Sequence, residues 1–490
     1  MSKEEKVEVE RYPALIGGER VFSHETFEDL DPSTGRLCAE VARCRAGEVD
    51  QAVAAARQTF ERTWRHTTPA ERARIFRRIA DLMRRDKEEL ARLESLDTGK
   101  PLRQARVDAE VAARYFEFYA DSVEALYGDT IPSLRDVLIY TLREPYGVTA
   151  HIIPWNYPMQ IGARTVAPAL AAGNCCVLKP AEEAPLTPLR LGELALEAGL
   201  PAGALNIVPG YGEEAGAALA AHSGIDHLAF TGSVEVGQIV SKAAADNVIP
   251  VTLELGGKSP NIVLADADLE SAVPVIVNSI IQNAGQTCSA GSRLLAEQSI
   301  HDRIVDAVAE RFKALRIGPG LEDPELGPLI SQRQRERMGS YVERGKKEAR
   351  LVVGGDVPRD EHLASGFFYL PTLFDQVRPE AVIAQEEIFG PVLSVLTFRD
   401  LEEAATLANG TRYGLIAAVW TRDVGKAHWL ARELRVGQVY INTYGAGGGV
   451  ELPYGGFKQS GHGREKGFEA LVSYTQTKSV AVKLTAPRMQ

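Results

Sequence analysis

The sequence predicts an α/β protein built on mostly parallel sheets, and three observations carry that expectation. From Gly147 onward, short apolar runs ending in Pro, Gly or Asn alternate with helical stretches, a rhythm that covers parallel strands with helices. The rhythm resumes near Asn261 and continues to about Val439, so a second α/β unit is expected. At 490 residues and 45% hydrophobic, the chain can fill more than one core.

In chain order, the first clear helical period runs from Pro69 to about Leu96, with Ile75, Ile79, Leu82, Leu90 and Leu93 near one face. Arg72, Arg74, Arg77, Arg78, Arg84 and Arg85 crowd this helix. Interleaved Glu71, Asp81, Asp86, Glu88 and Glu89 make it a solvated, ion-paired face rather than a polyanion site. Asp136 to Arg143 reads as a projecting strand. Val148 to Ile153, Cys175 to Leu178, Ala204 to Val208, His227 to Phe230 and Val251 to Leu255 read as buried strands. Asn156, Lys179, Gly232 and Glu254 stand at or beyond the ends of those runs, where ligands of parallel sheets collect.

Gly256-Gly257 marks a close-packed hinge, because no Ser- or Pro-rich linker separates the two units. Helices are expected over Glu270 to Asn283 and His301 to Leu315. Lys478 to Leu484, with Val480, Val482 and Leu484 on one side, reads as a terminal strand. Two projecting strands need a partner edge.

The net charge of −11 disfavours a nucleic-acid or anionic-membrane footprint, leaving small molecules or copies of the chain itself as partners. The charged start, Met1 to Lys6, lacks the apolar core of an export signal, and no apolar run reaches the roughly 20 residues that span a bilayer. The five cysteines show neither CxxC nor Cys/His spacing, so no disulfide framework and no metal site is expected. A cytoplasmic location fits this composition. Cys175 and Cys176 read as core residues.

Cys288, in Gly285-Gln286-Thr287-Cys288-Ser289, follows Glu254 by 34 residues and pairs a candidate thiol nucleophile with a candidate base. Each has a plain structural counterpart: a small buried hydrophobe, and a strand residue between two leucines. Asn156 equally suits the turn before Tyr157-Pro158. Gly232 to Gly237 has GxxxxG spacing between a strand and a helix, which either presents N–H groups to an anion or makes a tight turn.

Six motifs occur in order: Pro154-Trp155-Asn156-Tyr157-Pro158, Lys179-Pro180-Ala181-Glu182, Phe230-Thr231-Gly232-Ser233, Glu254-Leu255-Gly256-Gly257-Lys258, Gly285-Gln286-Thr287-Cys288 and Glu387-Ile388-Phe389-Gly390-Pro391. With Pro453-Tyr454-Gly455-Gly456-Phe457-Lys458, the chain resembles the NAD(P)-dependent aldehyde dehydrogenase superfamily from about Tyr12 to its carboxyl end. The resemblance implies a Rossmann-type NAD domain (residues 1–122 and 146–256), an α/β catalytic domain (257–459), and a small bridging sheet from 123–145 and 472–490. A homodimer or homotetramer is implied.

It further implies that Cys288 attacks the aldehyde, that the thiohemiacetal loses hydride to give a thioester, and that Glu254 activates the hydrolytic water. The oxyanion donors would be the Asn156 amide and the Cys288 N–H. The implied cofactor set begins with Ile153, Pro154 and Trp155, and adds Lys179 and Glu182 at the adenosine ribose. Phe230, Thr231, Gly232, Ser233 and Gly237 belong to the pyrophosphate turn, followed by Leu255, Gly256, Glu387 and Phe389 toward the nicotinamide. Glu182 would repel a 2′-phosphate, which favours NAD over NADP.

Tyr157, Ser289 and Tyr454 would line the aldehyde tunnel. Arg164, at a position aromatic in many relatives, implies a polar or carboxylate-bearing aldehyde, or else an internal pair with an Asp or Glu. Gln282 stands where succinate-semialdehyde relatives can carry a second Arg. Gly445-Ala446-Gly447-Gly448-Gly449 replaces bulkier side chains and argues against an aromatic box for a quaternary ammonium group. The alternatives are a coenzyme-A-acylating relative, disfavoured by Glu254, and a non-catalytic crystallin-like protein, disfavoured by Cys288, Glu254 and Asn156 together.

Overall fold

The computed structural model describes residues 10–445 and 449–484. The charged start of the chain, residues 446–448 of the glycine-rich segment, and residues 485–490 of the expected bridging segment lie outside the described residues.

The five apolar runs form parallel strands over Val148–Ile152, Cys175–Lys179, Leu205–Ile207, His227–Thr231 and Val251–Glu254. They make the middle of an eight-stranded sheet, in the order Val251–Glu254, His227–Thr231, Val148–Ile152, Cys175–Lys179, Leu205–Ile207. Antiparallel edges come from Gly461–His462 on one side and from Ala14–Ile16 with Glu19–Val21 on the other. The strands are almost wholly buried, which is why their sequence is continuously apolar instead of alternating. The chain leaves Val148–Ile152 in one direction and returns to its other flank with His227–Thr231. Such a reversal opens a crevice beyond the carboxyl ends of those two strands.

A second, seven-stranded sheet follows the order Arg350–Val353, Thr372–Asp375, Val392–Phe398, Arg293–Glu297, Pro260–Val263, Ile416–Trp420, Gln438–Ile441, parallel except for the first strand. Its expected helices occupy Leu269–Ile281 and His301–Lys313. The two projecting strands find each other: Val137–Pro145 pairs antiparallel with Thr475–Lys483, Thr475 opposite Pro145 and Lys483 opposite Val137.

The expected helix from Pro69 is two helices, Pro69–Arg85 and Lys87–Thr98. Asp86 breaks it, at φ −96° and ψ 17°, with its carboxylate accepting from Arg85 at 2.6 Å and Arg190 at 2.8 Å. A short carboxylate satisfied off the helix axis weakens helical continuation there. Among the described residues, half of the six arginines are ion-paired: Arg77 to Asp121, Arg84 to Glu110 and Glu117, and Arg85 to Asp86 and Glu197. Arg72 departs from the expected solvated face: only 8% exposed, it donates to the Thr67 carbonyl at 2.8 Å.

Against the ring of Tyr157 lies a charge cluster with no counterpart in the sequence-based expectations. The fully buried Lys100 ammonium meets Glu94 at 2.9 Å and Asp108 at 2.5 Å, and sits 4.2 Å from the centroid of the Tyr157 ring. Thr187 donates to the other Glu94 oxygen at 2.5 Å. Lys100→Met is expected to destabilise the protein by about 3–5 kcal/mol, because two buried carboxyl groups lose their cation. Urea unfolding followed by tryptophan fluorescence measures this; an unchanged midpoint would count against it.

Candidate active site

Two cavities meet at Cys288. One, of about 510 Å³, fills the crevice of the first sheet and is lined by Pro154, Trp155, Thr231, Gly232, Glu254 and Cys288, among others. The other, of about 190 Å³, opens on the far side of the same residue, and Tyr157, Gln160, Arg164, Ser289 and Tyr454 are in its wall. Asn156 and Cys288 line both.

Glycines set how closely the chain passes its neighbours around the larger cavity. A Cβ on Gly256 would lie 2.2 Å from Glu387 Oε2, and one on Gly257 would lie 2.3 Å from the Cys288 carbonyl oxygen. The backbone after Glu254 therefore threads between a carboxyl group and the cysteine loop, with Gly257 N–H donating to Glu387 at 3.0 Å. A Cβ on Gly232 would strike the Phe230 ring at 2.5 Å. Ser233 caps the Val234–Asp246 helix by accepting from Val236 N–H, so the positive end of that helix faces the cavity. Burial pushes Glu387 up to about 7. Phe389, held at φ 61°, packs edge-on against Trp155 at 5.3 Å between centroids.

Several residues expected at the cofactor support the cavity without lining it. Gly237 is a packing glycine, since a Cβ there would come 2.7 Å from Leu255 Cδ2. Ile153 donates its N–H to the Lys179 carbonyl, which ties the two strand ends together. Lys179 is buried and bonds Glu182 at 2.9 Å. Sequence reasoning missed Gln334, Arg337 and Arg412, which also line this cavity but stand in none of the six motifs.

The loop before Cys288 is strained. Asn283, Ala284 and Gly285 have φ of 48°, 53° and 72°, an uncommon run for two side-chain-bearing residues. Packing over-determines it: a Cβ on Gly285 would lie 2.4 Å from the Gly390 carbonyl carbon, and Gln286 bonds both Ile330 N–H and the Asn283 carbonyl. Asn156 Nδ2 donates to the Gln286 carbonyl at 2.9 Å, which ties it to the cysteine loop and leaves its second amide hydrogen available.

Cys288 Sγ lies 3.1 Å from Tyr454 Oη. Burial pushes the thiol up, while the Tyr454 bond and the Arg164 charge pull it down. Glu254 is 2% exposed, and among the described residues neither carboxyl oxygen has a hydrogen-bond partner. Burial, then the nearby Glu465, raise it well above the ordinary carboxyl range against the pull of Arg164.

Of the two expectations for Arg164, the internal pair is present: its guanidinium is buried in an ion pair with Glu465 and donates to Thr231 Oγ1 at 3.2 Å, while the residue still lines the smaller cavity. A desolvated guanidinium takes the nearest carboxylate, and Glu465 stands behind the tunnel wall. Lys466 Nζ, next in the chain and also in that wall, lies 4.9 Å from the Tyr454 ring centroid. Tyr444, also in that wall, donates to the Ser289 carbonyl. Among the described residues, no group of three or more His, Cys, Asp or Glu is placed to hold a metal ion.

Residues 21–480 match the model of the aldehyde dehydrogenase family. The chain is 44% identical over 462 residues to hydroxyisobutyraldehyde dehydrogenase of Mycolicibacterium austroafricanum, covering 94% of this chain and 92% of that one. It is 43% identical over 468 residues to human mitochondrial aldehyde dehydrogenase, covering 94% and 90%. An aldehyde dehydrogenase from Bacillus cereus solved as its NAD+ complex superposes with a TM-score of 0.95 at 43% identity, over 97% of each chain. The motifs, the fold and these likenesses agree: the chain belongs to the aldehyde dehydrogenase family.

Proposed function

We propose that the protein oxidises a small aldehyde to a carboxylic acid through a covalent bond to Cys288, with NAD as hydride acceptor. The observation that carries this is the position of one sulfur at the junction of two cavities, one of them also lined by a buried carboxyl group with no hydrogen-bond partner among the described residues. Gly232, Gly256 and the Val234–Asp246 helix terminus leave the larger cavity open to a dinucleotide, with Glu387, Trp155 and Phe389 at its cysteine end. NAD bound there supplies the electron sink that makes the oxidation possible. A Bacillus cereus relative of the same fold binds NAD+, and Glu182 beside Lys179 disfavours a 2′-phosphate.

The Cys288 thiolate adds to the carbonyl carbon while Asn156 Nδ2 and the Cys288 N–H take the oxyanion. Loss of hydride leaves a thioester on Cys288. Glu254 removes a proton from water as that water attacks the thioester, and the acid departs with the sulfur freed. The raised affinity of Glu254 for protons makes it a stronger base than an exposed carboxylate.

The two sheets fit a division into a cofactor domain (residues 1–122 and 146–256) and a catalytic domain (257–459). The paired strands Val137–Pro145 and Thr475–Lys483 leave Leu138, Leu142 and Val482 about 40% exposed, which suits a homodimer or homotetramer.

Because Arg164 is internally paired, the tunnel favours a short neutral aldehyde with polar substituents over a carboxylated one. Aldehyde-dependent NADH absorbance over aliphatic, aromatic, amino, hydroxy and carboxylated aldehydes tests both parts. The highest kcat/KM is expected for short hydroxylated aldehydes. A carboxylated aldehyde ranking first would overturn the substrate class, and no NADH from any aldehyde would overturn the function.

A further inference from the structure

We infer that Tyr454 is a catalytic residue, whose phenolic O–H donates to the Cys288 sulfur as it ionises and so favours the thiolate against the burial that opposes it, and whose ring is polarised for this by two cations. It rests on the covalent role proposed for Cys288 and adds a group that eases ionisation of the thiol.

The geometry has three parts. First, Tyr454 Oη and Cys288 Sγ are 3.1 Å apart, within range for a hydrogen bond to sulfur. With a neutral thiol either atom can donate; once the thiol proton has left, only the phenol can. The contact therefore persists in the ionised state and becomes charge-assisted, which strengthens it.

Second, Arg164 Cζ lies 5.3 Å and Lys466 Nζ 4.9 Å from the centroid of the Tyr454 ring. Cations over an aromatic ring draw electron density from it, and a phenol so polarised is a better O–H donor. Arg164 is kept there by Glu465, so the ion pair that withdraws Arg164 from substrate also fixes it beside the phenol.

Third, the phenol is held by its backbone. Tyr454 and Glu465 exchange both backbone hydrogen bonds, at 2.7 and 2.8 Å, and Gln438 Nε2 bonds the Pro453 carbonyl at 2.9 Å. Both cations and the hydroxyl are thus carried by elements locked to one another.

The titratable groups facing the sulfur are the Tyr454, Tyr157 and Tyr444 phenols, the Arg164 and Lys466 cations, and the Glu254 and Glu387 carboxyls. Burial and the two carboxyls raise the thiol; the Tyr454 bond and then Arg164 lower it. Of these groups, Tyr454 is the one whose hydroxyl bonds the sulfur. In the step itself the S–H bond breaks and its proton passes to solvent through the larger cavity. The Tyr454 proton stays on oxygen and turns to the sulfur, and the sulfur electron pair then forms the S–C bond.

Tyr454→Phe keeps the ring and its cations and removes only the hydroxyl. The test is the rate of Cys288 alkylation by iodoacetamide against pH, read by peptide mass, since four other cysteines are present. The pH midpoint is expected to rise by about one, which slows alkylation roughly tenfold near neutrality. At high pH, where every thiol is ionised, the rate should match or exceed wild type, because a more basic thiolate is the better nucleophile. Superimposed profiles would overturn the inference. So would a loss of rate that persists at the high-pH plateau, which is the mark of a blocked or displaced thiol. Alkylation needs no aldehyde turnover, so this outcome is separate from the NADH assay on which the proposed function depends.

Discussion

Cys288→Ala is expected to abolish aldehyde-dependent NAD reduction, lowering kcat by at least about 10⁴-fold. The magnitude follows from what the sulfur does: without it no thiohemiacetal forms, and among the described residues no other nucleophile lines both cavities. NAD binding should be preserved, because Cys288 contributes only one point of a wall otherwise made by Trp155, Gly232, Gly256 and Glu387. Fluorescence titration with NADH and the absorbance assay separate the two. Undiminished turnover in the variant would refute the nucleophile.

Glu254→Gln has the second largest expected effect, a fall in turnover of about 10²–10⁴-fold with acyl-enzyme accumulating on Cys288. Glutamine preserves the volume of a site where Gly455 already approaches so closely that a Cβ there would lie 2.8 Å from Glu254 Oε1. Hydride loss should continue until the thioester forms, giving a single-turnover burst of NADH and a mass increase on the intact protein. The pH dependence has a definite sign. Burial raises the proton affinity of Glu254, so the base is available only above its elevated pKa, and wild-type turnover should climb with pH through that region. The variant should lose this limb. Impaired turnover with no acyl-enzyme would move the base to an earlier step, such as thiol deprotonation.

Both predictions concern residues visible in the sequence, and their visibility has a physical basis. A parallel strand buried on both faces must be continuously apolar, so the runs at Val148, Cys175, His227 and Val251 announce themselves without partners. Functional groups then fall at strand ends, which is why Asn156, Lys179, Gly232 and Glu254 could be singled out. What crowds the Gly256-Gly257 pair was not legible: the Glu387 carboxyl on one side and the Cys288 carbonyl on the other arrive from distant parts of the chain.

The helix from Pro69 shows the limit of periodicity. Its apolar stripe continues past Asp86, yet the helix stops there, with the Asp86 carboxylate bonded by Arg85 and by Arg190 of another helix. Arg164 shows the limit of motif reasoning. Its position in the tunnel wall and an internal pair as one of its outcomes were readable, whereas the identity of the partner, Glu465, was not. The Lys100 cluster under Tyr157 carried no local signal, because a lysine between Gly99 and Pro101 looks like any loop lysine until Glu94, Asp108 and the ring close over it.

Local order along the chain thus sufficed for the α/β class, the strand ends and the succession of motifs, since each depends on spacing over a few residues. Which buried charge meets which partner, and that one sulfur sits between two cavities with a phenol against it, came from the folded arrangement. The reason is electrostatic: a desolvated charge or lone pair is governed by the groups within a few ångströms, and those neighbours are chosen by folding across the whole chain.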